Sequence, residues 1–551
     1  MGKREQPQIR DIMTYPEAFS QLTLAEKVGQ FFMPAAFIND TEEEILRLEK
    51  FIKEHNAGGL CFFHSRASAA TNYEENLADE RPKKAVIFNE KSLDILVKLI
   101  QRYQNATKYP LLIAIDAEWG LAMRIENTPQ YPYAITLGAI QSDNELVFEV
   151  GRQIAKDCKA TGIHWNLAPV ADINNNPHNP VIGYRSFGED RHLVAEKAMA
   201  YVKGTQSEGV LTSIKHFPGH GDTETDSHLG LPLITKSKTE LLENELYPFQ
   251  ILIDAGVDSV MVGHLSVPAL ANGNKTSSSI SKDVIKGVLR DEMGFAGVVI
   301  SDALNMHAVS KDFSGKGELE WLAFDAGNDV LCFAEQPAEG IETILRNASE
   351  KQIEESFARV WKLKEKAMQT EVSSSIIKPA YGQAGSKLES SNGLNQKLVL
   401  KSLTLLKGSE AAINELSAND FIGFENFHTV ENQFFNLIDR DKKFNRFILG
   451  DDASKNERNV LLALFPSQVK PINNFGFSAA ELLAINTLIE TKNVVLYLFG
   501  NPYVLNHIDT QNAEAVVIAY QNFEVFQEVA AGHFLGNFEA KGKLSVTIQE
   551  L

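Results

Sequence analysis

Eight short apolar segments, separated by helical patterns, occupy about the first 370 residues of this 551-residue chain. Each segment is rich in apolar residues without strict alternation, which is typical of strands buried on both faces of a parallel sheet. Chains that alternate strands and helices in this way form α/β folds. The predicted strands are FFMPAAF from Phe31, AGGLCFF from Ala57, LLIAID from Leu111, HWNLAPV from His164, LTSIKHF from Leu211, SVMVGHL from Ser259, GVVISDAL from Gly297 and DVLCF from Asp329.

The helical patterns between these strands have recognisable ends. Thr23 and Glu26 form a capping-box pattern that predicts a helix start. Amphipathic stretches predict helices over 145–160 and 194–207, and Ser281 is predicted to cap a helix that runs to about Met293. Eight such strand-helix units predict a (β/α)₈ TIM-type barrel. A doubly wound open sheet is the structural alternative, but no G-x-G-x-x-G or P-loop sequence supports its nucleotide-binding version.

The composition changes after the barrel region. Residues 371–395 are rich in Ser and Gly and have no clean period, so they are predicted to form a linker between a catalytic domain over 1–370 and a second domain over 396–551. The second domain is predicted to be a smaller three-layer α/β/α sandwich. Its predicted strands are SLTLLK from Ser402, NVLLALF from Asn459, NVVLYLF from Asn493 and AVVIAY from Ala515.

Charge and composition exclude several classes of protein. The net charge of −19 argues against broad binding to nucleic acid or to anionic membranes. No apolar run approaches the roughly 18 residues that a membrane span needs. We therefore expect a soluble protein, cytoplasmic as the sequence stands, and periplasmic or secreted if a signal peptide has been removed. Three widely spaced cysteines predict buried free thiols rather than a disulfide framework: Cys61, Cys158 and Cys332.

Ionisable residues recur where the predicted strands end. In a barrel of this kind, the active site is built from the carboxyl ends of the strands and the loops that follow. Five consecutive strands deliver such residues to one face, which favours a functional interpretation over chance exposure at strand ends. The residues are Asp116, Asp172, Lys215, His216, His264 and Asp302.

The loop after the fifth strand is the most polar segment of the chain. Asp226 and His228 are two residues apart, so the carboxylate can accept the imidazole N–H and orient the ring for proton transfer. Two alternatives are a loop held by its own Asp and Thr side chains, and a metal site. The metal site would use His220, Asp222, Asp226 and His228.

Asp302 closes a very apolar strand, so it must be hydrogen-bonded, paired or functional. The residues by themselves favour a nucleophile and a structural aspartate about equally, because perturbed carboxylates occur in both roles.

Two motifs carry a resemblance to a known family. The segment K-H-F-P-G-H-G-D-T-x-x-D-S-H from Lys215 and the segment G-F-x-G-V-V-I-S-D-A-L-x-M from Gly294 resemble glycoside hydrolase family 3, and in particular its β-N-acetylhexosaminidase (β-N-acetylglucosaminidase) branch. The resemblance extends over the barrel region, and S-L-T-L-L-K and F-G-N-P-Y in the second half are similar to the family's C-terminal α/β sandwich domain.

The resemblance implies a retaining, exo-acting hydrolysis of β-linked N-acetylhexosamine. Asp302 would be the nucleophile that forms a covalent glycosyl-enzyme, and His228 the general acid/base oriented by Asp226. The residues that resemble the family's sugar-binding positions are Asp116, Arg124, Arg185, Lys215 and His216. The chain departs from the D-Q-E-G-G sequence common in this branch, since Trp119 lies in the corresponding segment and would be either a stacking platform or a rim residue.

The expected partner is a carbohydrate, either a peptidoglycan fragment or a chitin-like oligosaccharide. No cofactor, metal or nucleic acid is expected, and no oligomeric state is assigned. The nearest alternative is a family 3 glycoside phosphorylase, because a histidine acid/base repels phosphate less than a carboxylate does. A β-glucosidase of the same family is another alternative. A metal-dependent hydrolase and a non-catalytic sugar-binding protein are further alternatives.

Overall fold

The structure is a computed structural model, and it describes residues 12–64, 89–224, 230–311, 313, 315–369, 384–426, 432–451 and 458–549. The chain divides into two compact units. The first comprises Met1–Gln130, Phe148–Asp172 and Ala198–Ala384, and the second Tyr131–Val147, Ile173–Lys197 and Gly385–Leu551. A helix begins at Ala384, so the last part of the predicted linker is helical. The domain bounds drawn from the sequence stay predictions.

Parallel strands in the first unit account for all eight predicted segments. Pro34 splits the first segment into two short strands, because proline has no N–H to give to a strand partner. The strands are β1 (Phe32–Met33), β2 (Ala35–Phe37), β3 (Gly59–Phe63), β4 (Leu112–Ile115), β5 (Trp165–Asn166), β6 (Leu211–Phe217), β7 (Ser259–Val262), β8 (Val298–Ser301) and β9 (Leu331–Cys332).

The strands close into a ring. Strands β2 to β8 pair in chain order in one sheet, and β9 pairs with β1. A parallel bridge between Ile300 and Val330 joins the end of that sheet to the segment that leads into β9. The predicted TIM-type barrel is therefore confirmed, and the carboxyl ends of all its strands lie on one face.

Helices lie between the strands, as the sequence patterns predict. Thr23 caps its helix, with Oγ1 accepting from the Glu26 backbone N–H at 3.3 Å. The helices up to residue 369 are Tyr15–Gln21, Leu24–Gly29, Glu42–His55, Ser92–Ala106, Ala134–Gly138, Asn144–Thr161, Arg191–Ser207, Lys238–Glu243, Tyr247–Asp254, the π-helix Asp283–Glu292, His307–Ser310, Glu318–Ala326, Pro337–Asn347 and Glu350–Gln369. Short 3₁₀ turns occur at Leu121–Met123, Gly183–Arg185, Pro268–Leu270 and Ser278–Ile280.

The second unit is built on a six-stranded sheet, which confirms the predicted α/β sandwich. Its order is β10-β15-β14-β13-β11-β12, and only the β10–β15 pair is antiparallel. The strands are β10 (Thr404–Lys407), β11 (Ile422–Glu425), β12 (Asn445–Ile448), β13 (Asn459–Leu464), β14 (Asn493–Leu498) and β15 (Ala515–Ile518). The helices are Ala384–Ser402, Glu410–Ala418, Gln433–Asp441, Ala479–Thr491 and Glu524–Phe534, with 3₁₀ turns at Ile472–Gly476 and Pro502–His507.

The sequence analysis missed β11 and β12. Gly423 interrupts the apolar pattern of β11, and a Cβ at this position would lie 2.6 Å from the Phe444 ring, so the glycine allows close packing. Strand β12 lies at the sheet edge and is largely exposed, so it lacks the continuous apolar run of a buried strand.

The three cysteines, Cys61, Cys158 and Cys332, are buried and free, as predicted. None of the helices in the described part of the chain combines the length and the apolar character that a bilayer span requires.

The helix Glu350–Gln369 carries a buried lysine. Lys364 is fully buried, and its Nζ donates a hydrogen bond to the neutral Oε1 of Gln30. Its Nζ also lies 5.2 Å from the centre of the Trp361 ring. Burial lowers the pKa of Lys364 to about 7. The folded state therefore favours the neutral amine, whereas an unfolded lysine titrates near ~10.4.

We expect Lys364→Met to raise the free energy of unfolding by about 2 kcal/mol at pH 6, because it removes a buried charge. The folded pKa lies below the unfolded one, so the cost of the ammonium is complete below about pH 7 and disappears as the pH rises towards ~10. Urea unfolding at pH 6 and pH 9 measures both effects. Lys362→Met, on the exposed face of the same helix, is the control and should change stability by less than ~0.5 kcal/mol. An equal gain at both pH values would contradict this assignment.

Candidate active site

An ionic cluster around a buried lysine lies at the carboxyl ends of β4 and β6. Lys215 Nζ lies 2.7 Å from Asp116 Oδ1 and 2.8 Å from Glu118 Oε1. Arg124 Nη2 lies 2.8 Å from Asp116 Oδ2. The Lys215 side chain is only 2% exposed, so this lysine pairs with both carboxylates largely away from water. We call these four residues the ionic clamp.

The charges of the ionic clamp determine the state of Asp116. Burial by itself raises the pKa of this carboxyl, but Lys215 and Arg124 outweigh burial and hold the pKa well below its usual range. Asp116 is therefore ionised at neutral pH, and its oxygens are fixed by two cations. Such a carboxylate can accept hydrogen bonds from sugar hydroxyls without first reorienting.

Asp172 organises the turn that follows β6. This aspartate is fully buried, and Oδ1 accepts the backbone N–H groups of His216 at 3.1 Å and His220 at 2.7 Å. Its Oδ2 lies 2.7 Å from His216 Nδ1, so that nitrogen carries the proton. Burial tends to raise the pKa of Asp172, but the two histidines hold it below its usual value. The orientation of the His216 ring is thus fixed from the neighbouring strand end.

His220 is buried in the same turn. Its Nδ1 lies 2.8 Å from the Thr223 hydroxyl, which donates to the His220 carbonyl at 3.1 Å. Burial, together with the neighbouring His216, lowers the pKa of His220 to about 4. This histidine is neutral near pH 7 and contributes to the shape of the turn rather than to its charge.

Asp302 follows β8 and is half-buried. Its backbone N–H donates to the Val262 carbonyl at 3.0 Å, and its Oδ1 accepts the Ala303 N–H at 2.8 Å. The negative charge of Asp302 acts on His220 as well, where it partly opposes the lowering of the histidine pKa by burial and by His216. The side chain that the sequence motif predicts to be the nucleophile therefore lies at the same face of the barrel as the ionic clamp.

The ring of strand ends has an apolar portion as well as a polar one. Phe37, Phe63 and Phe333 follow or end three neighbouring strands, and their ring centres lie 5.5–5.9 Å apart. The Arg124 guanidinium lies 5.2 Å from the centre of the Phe63 ring, which joins this aromatic group to the ionic clamp. The C–H face of a sugar ring packs well against such surfaces.

Five of the eight predicted site residues lie at the barrel face: Asp116, Arg124, Lys215, His216 and Asp302. Asp226 and His228 lie outside the described residues. Arg185 belongs to the second unit, where it ends the turn Gly183–Arg185 and its Nη1 donates to the Val181 carbonyl at 3.2 Å. The individual roles of these eight residues stay predictions.

The structure also identifies partners that the sequence analysis did not assign. Glu118 lies two residues after Asp116 and pairs with the same lysine, Lys215. The D-A-E sequence shows the two carboxylates but does not indicate that they share a cation. Asp172 and His264 were recognised only as residues at strand ends. Their bonding partners are distant in the sequence, so no local pattern identifies them.

The metal-site alternative gains no support from the described part of the loop. Asp222 Oδ2 lies 2.7 Å from Lys236 Nζ, which also lies 2.6 Å from Glu245 Oε1. A lysine at this position opposes a cation at Asp222. Among the described residues, no group of three or more His, Cys, Asp or Glu side chains has the geometry of a metal site.

The barrel region of the chain matches a known protein family. The model of the glycosyl hydrolase family 3 N-terminal domain matches residues 23–363. The chain is 32% identical over 334 residues to β-hexosaminidase A of Pseudoalteromonas piscicida, which is 55% of this chain and 54% of that protein. It is 35% identical over 263 residues to a β-hexosaminidase of Xylella fastidiosa strain M12, which is 46% of this chain and 77% of that protein.

Solved structures share the fold over nearly the whole chain. A family 3 β-N-acetylglucosaminidase from Paenibacillus sp. superposes with a TM-score of 0.76 and 27% identity, covering 96% of this chain and 100% of that one. A β-glucoside phosphorylase superposes with a TM-score of 0.78 at 21% identity, covering 97% of this chain and 96% of that one, and so shares the fold alone. The family model matches well over half of the sequence, and the chain therefore belongs to glycoside hydrolase family 3.

Proposed function

We propose that this chain is a retaining exo-β-N-acetylglucosaminidase. One observation carries the proposal: Asp302 directly follows β8, on the face of the barrel that also carries the ionic clamp around the buried Lys215. Hydrolysis through a covalent intermediate needs a carboxylate nucleophile beside groups that fix a sugar ring. The names of the Pseudoalteromonas and Paenibacillus relatives support N-acetylglucosamine as the sugar.

In the first step, an Asp302 oxygen attacks the anomeric carbon, and the bond from that carbon to the leaving oxygen breaks. His228, in its protonated form and oriented by Asp226, gives its proton to the leaving oxygen. The products of this step are the released alcohol and a covalent ester between Asp302 and the sugar. A histidine whose pKa is near ~6.5 populates both required protonation states around neutral pH.

In the second step, neutral His228 takes a proton from water while the water oxygen attacks the anomeric carbon. The ester bond breaks, Asp302 becomes a carboxylate again, and the sugar leaves with its original configuration. Two inversions at one carbon give net retention.

The ionic clamp would bind the sugar hydroxyls in both steps. Asp116 offers acceptor oxygens, and Arg124 and Lys215 offer N–H donors. Because the clamp side chains already fix one another, little side-chain entropy is lost when the sugar binds. The substrate class we propose is a peptidoglycan fragment or a chitin-like oligosaccharide with a terminal β-N-acetylglucosamine.

A panel of p-nitrophenyl β-glycosides tests the proposal. We expect the N-acetylglucosaminide to have a kcat/KM about 10²-fold or more above those of the glucoside and the xyloside, since a site that binds a polar substituent rejects substrates that lack it. Faster turnover of the plain glucoside would contradict the proposal and favour a β-glucosidase.

Product analysis with and without inorganic phosphate tests the phosphorylase alternative. We expect free N-acetylglucosamine of β configuration in the first NMR spectra, whether or not phosphate is present. A sugar 1-phosphate as the main product would overturn the hydrolase assignment.

A further inference from the structure

His264 follows β7 and is fully buried. Both nitrogens of its ring make close contacts. Nε2 lies 2.9 Å from the Ala303 carbonyl oxygen, and Nδ1 lies 2.8 Å from the Ser279 hydroxyl. A carbonyl oxygen only accepts hydrogen bonds, so Nε2 carries a proton and donates it to Ala303. The contact with Ser279 holds the ring in the plane that this bond requires.

The carbonyl that His264 binds belongs to the residue directly after Asp302. The same peptide plane is held on its other side, where the Leu304 N–H donates to the Cys332 carbonyl at 3.0 Å. His264 and Cys332 therefore fix one peptide plane from the two strands that flank β8, which are β7 and β9. This plane and the preceding one meet at the Ala303 Cα, so a displacement of one plane moves an atom that belongs to both.

The preceding peptide plane carries the Ala303 N–H, which bonds to Asp302 Oδ1 at 2.8 Å. This bond sets the direction of the Asp302 side chain. A shift of the Ala303 carbonyl would displace the Ala303 Cα, which both planes share, and so would displace the N–H that orients the carboxylate.

We propose that His264 is a positioning residue for Asp302: its Nε2–H holds the Ala303 carbonyl and thereby fixes the direction from which the carboxylate attacks. This inference rests on the proposed function, in which Asp302 is the nucleophile. A carboxylate that is misplaced by about 1 Å loses on the order of 10²-fold in rate. His264 itself touches neither the substrate nor the reacting atoms in this proposal.

Two substitutions distinguish the effect of the hydrogen bond to the Ala303 carbonyl from the effect of losing the imidazole ring. His264→Gln keeps an amide N–H near the position of Nε2, whereas the shorter side chain of His264→Asn does not reach the Ala303 carbonyl. We expect His264→Asn to lower kcat on p-nitrophenyl N-acetyl-β-glucosaminide by about 10²-fold. His264→Gln should stay within about tenfold of the wild type, and the Kd of N-acetylglucosamine should change by less than about threefold in both variants.

His164 provides a matched control. It is also a buried histidine that bonds to barrel backbone, since its Nδ1 accepts the Ile113 N–H at 3.0 Å, but it precedes β5 and so lies at the opposite end of the strands. His164→Asn and His164→Gln should lower the melting temperature without lowering kcat by more than about threefold. The contrast separates a positioning role from a general loss of stability.

Parallel assays of Asp302→Asn distinguish a failure of the positioning role of His264 from a failure of the proposed function. If Asp302→Asn is inactive while His264→Asn keeps the wild-type kcat, the positioning role is wrong and the proposed function stands. Equal losses in His264→Asn and His264→Gln would also overturn it, since the donated hydrogen bond would then not be the cause. If Asp302→Asn turns over like the wild type, the proposed function itself fails.

Discussion

Asp302→Asn is expected to lower kcat on p-nitrophenyl N-acetyl-β-glucosaminide by about 10⁴-fold or more, because an amide oxygen is too weak a nucleophile to form the glycosyl-enzyme. The side chain keeps its size, and its Oδ1 can still accept the Ala303 N–H that the aspartate accepts at 2.8 Å. The loss should therefore appear with little change in melting temperature. Asp254→Asn, on an exposed helix position of the same unit, is the control and should leave kcat unchanged.

Azide rescue makes this prediction more specific. Asp302→Ala leaves space beside the anomeric carbon, where azide can attack while p-nitrophenolate leaves. The product should be the α-glycosyl azide, since only one inversion then takes place. Turnover of either variant within about tenfold of the wild type, or a β-azide, would be incompatible with Asp302 as the nucleophile.

Lys215→Met is expected to lower the free energy of unfolding by about 3–5 kcal/mol at pH 7 and to abolish measurable sugar binding. The lysine is 2% exposed and pairs with Asp116 and Glu118, so its removal leaves two largely buried carboxylates beside each other, with Arg124 as the one remaining cation of the ionic clamp. Guanidinium unfolding measures the loss. Lys238→Met, which breaks an exposed pair with Glu292, is the matched control and should cost less than ~1 kcal/mol.

The pH dependence of this difference has a definite sign. In the wild type, the folded pKa of Asp116 lies below its unfolded value, so its stabilising contribution is present above about pH 4 and is lost as the pH falls through the folded pKa. In the variant, the two carboxylates repel each other, and the pKa of Asp116 in the folded state rises because Lys215 no longer holds it down. The difference in the free energy of unfolding between the wild type and Lys215→Met should therefore be smaller at pH 4.5 than at pH 7. Adding Glu118→Gln to Lys215→Met should recover part of the lost free energy of unfolding at pH 7. If the difference between the wild type and Lys215→Met instead grows as the pH falls, the pairing of Lys215 with these carboxylates is not the cause of the loss.

Most of the barrel could be predicted because each strand is locally apolar and several helices carry their own start signal, as those capped by Thr23 and Thr41 do. Two strands, β11 and β12, were not predicted, and each has a physical reason. The fit of Gly423 against the Phe444 ring depends on a packing partner that no short window contains. Strand β12 is exposed, so burial gives it no apolar signature.

In the candidate site, too, local sequence patterns predicted some features, whereas features that depend on distant contacts were missed. The motif around Lys215 and the motif around Asp302 were sufficient to find the barrel face and to predict the family. They did not reveal that Asp172 fixes the His216 ring, or that His264 reaches the Ala303 carbonyl. These bonds join consecutive strands of the sheet whose residues are far apart in the sequence, so they form only once those strands have paired.

The pairing of β1 with β9 bears on how the protein is made. Phe32 and Leu331 are register partners, although nearly the whole barrel sequence separates them. A nascent chain on the ribosome therefore holds an open sheet with two unpaired edges until β9 has left the exit tunnel. Contacts between such distant segments form slowly, and open edges invite pairing with other chains. The period before the last strand arrives is thus the time at which this protein is most exposed to aggregation in the cell.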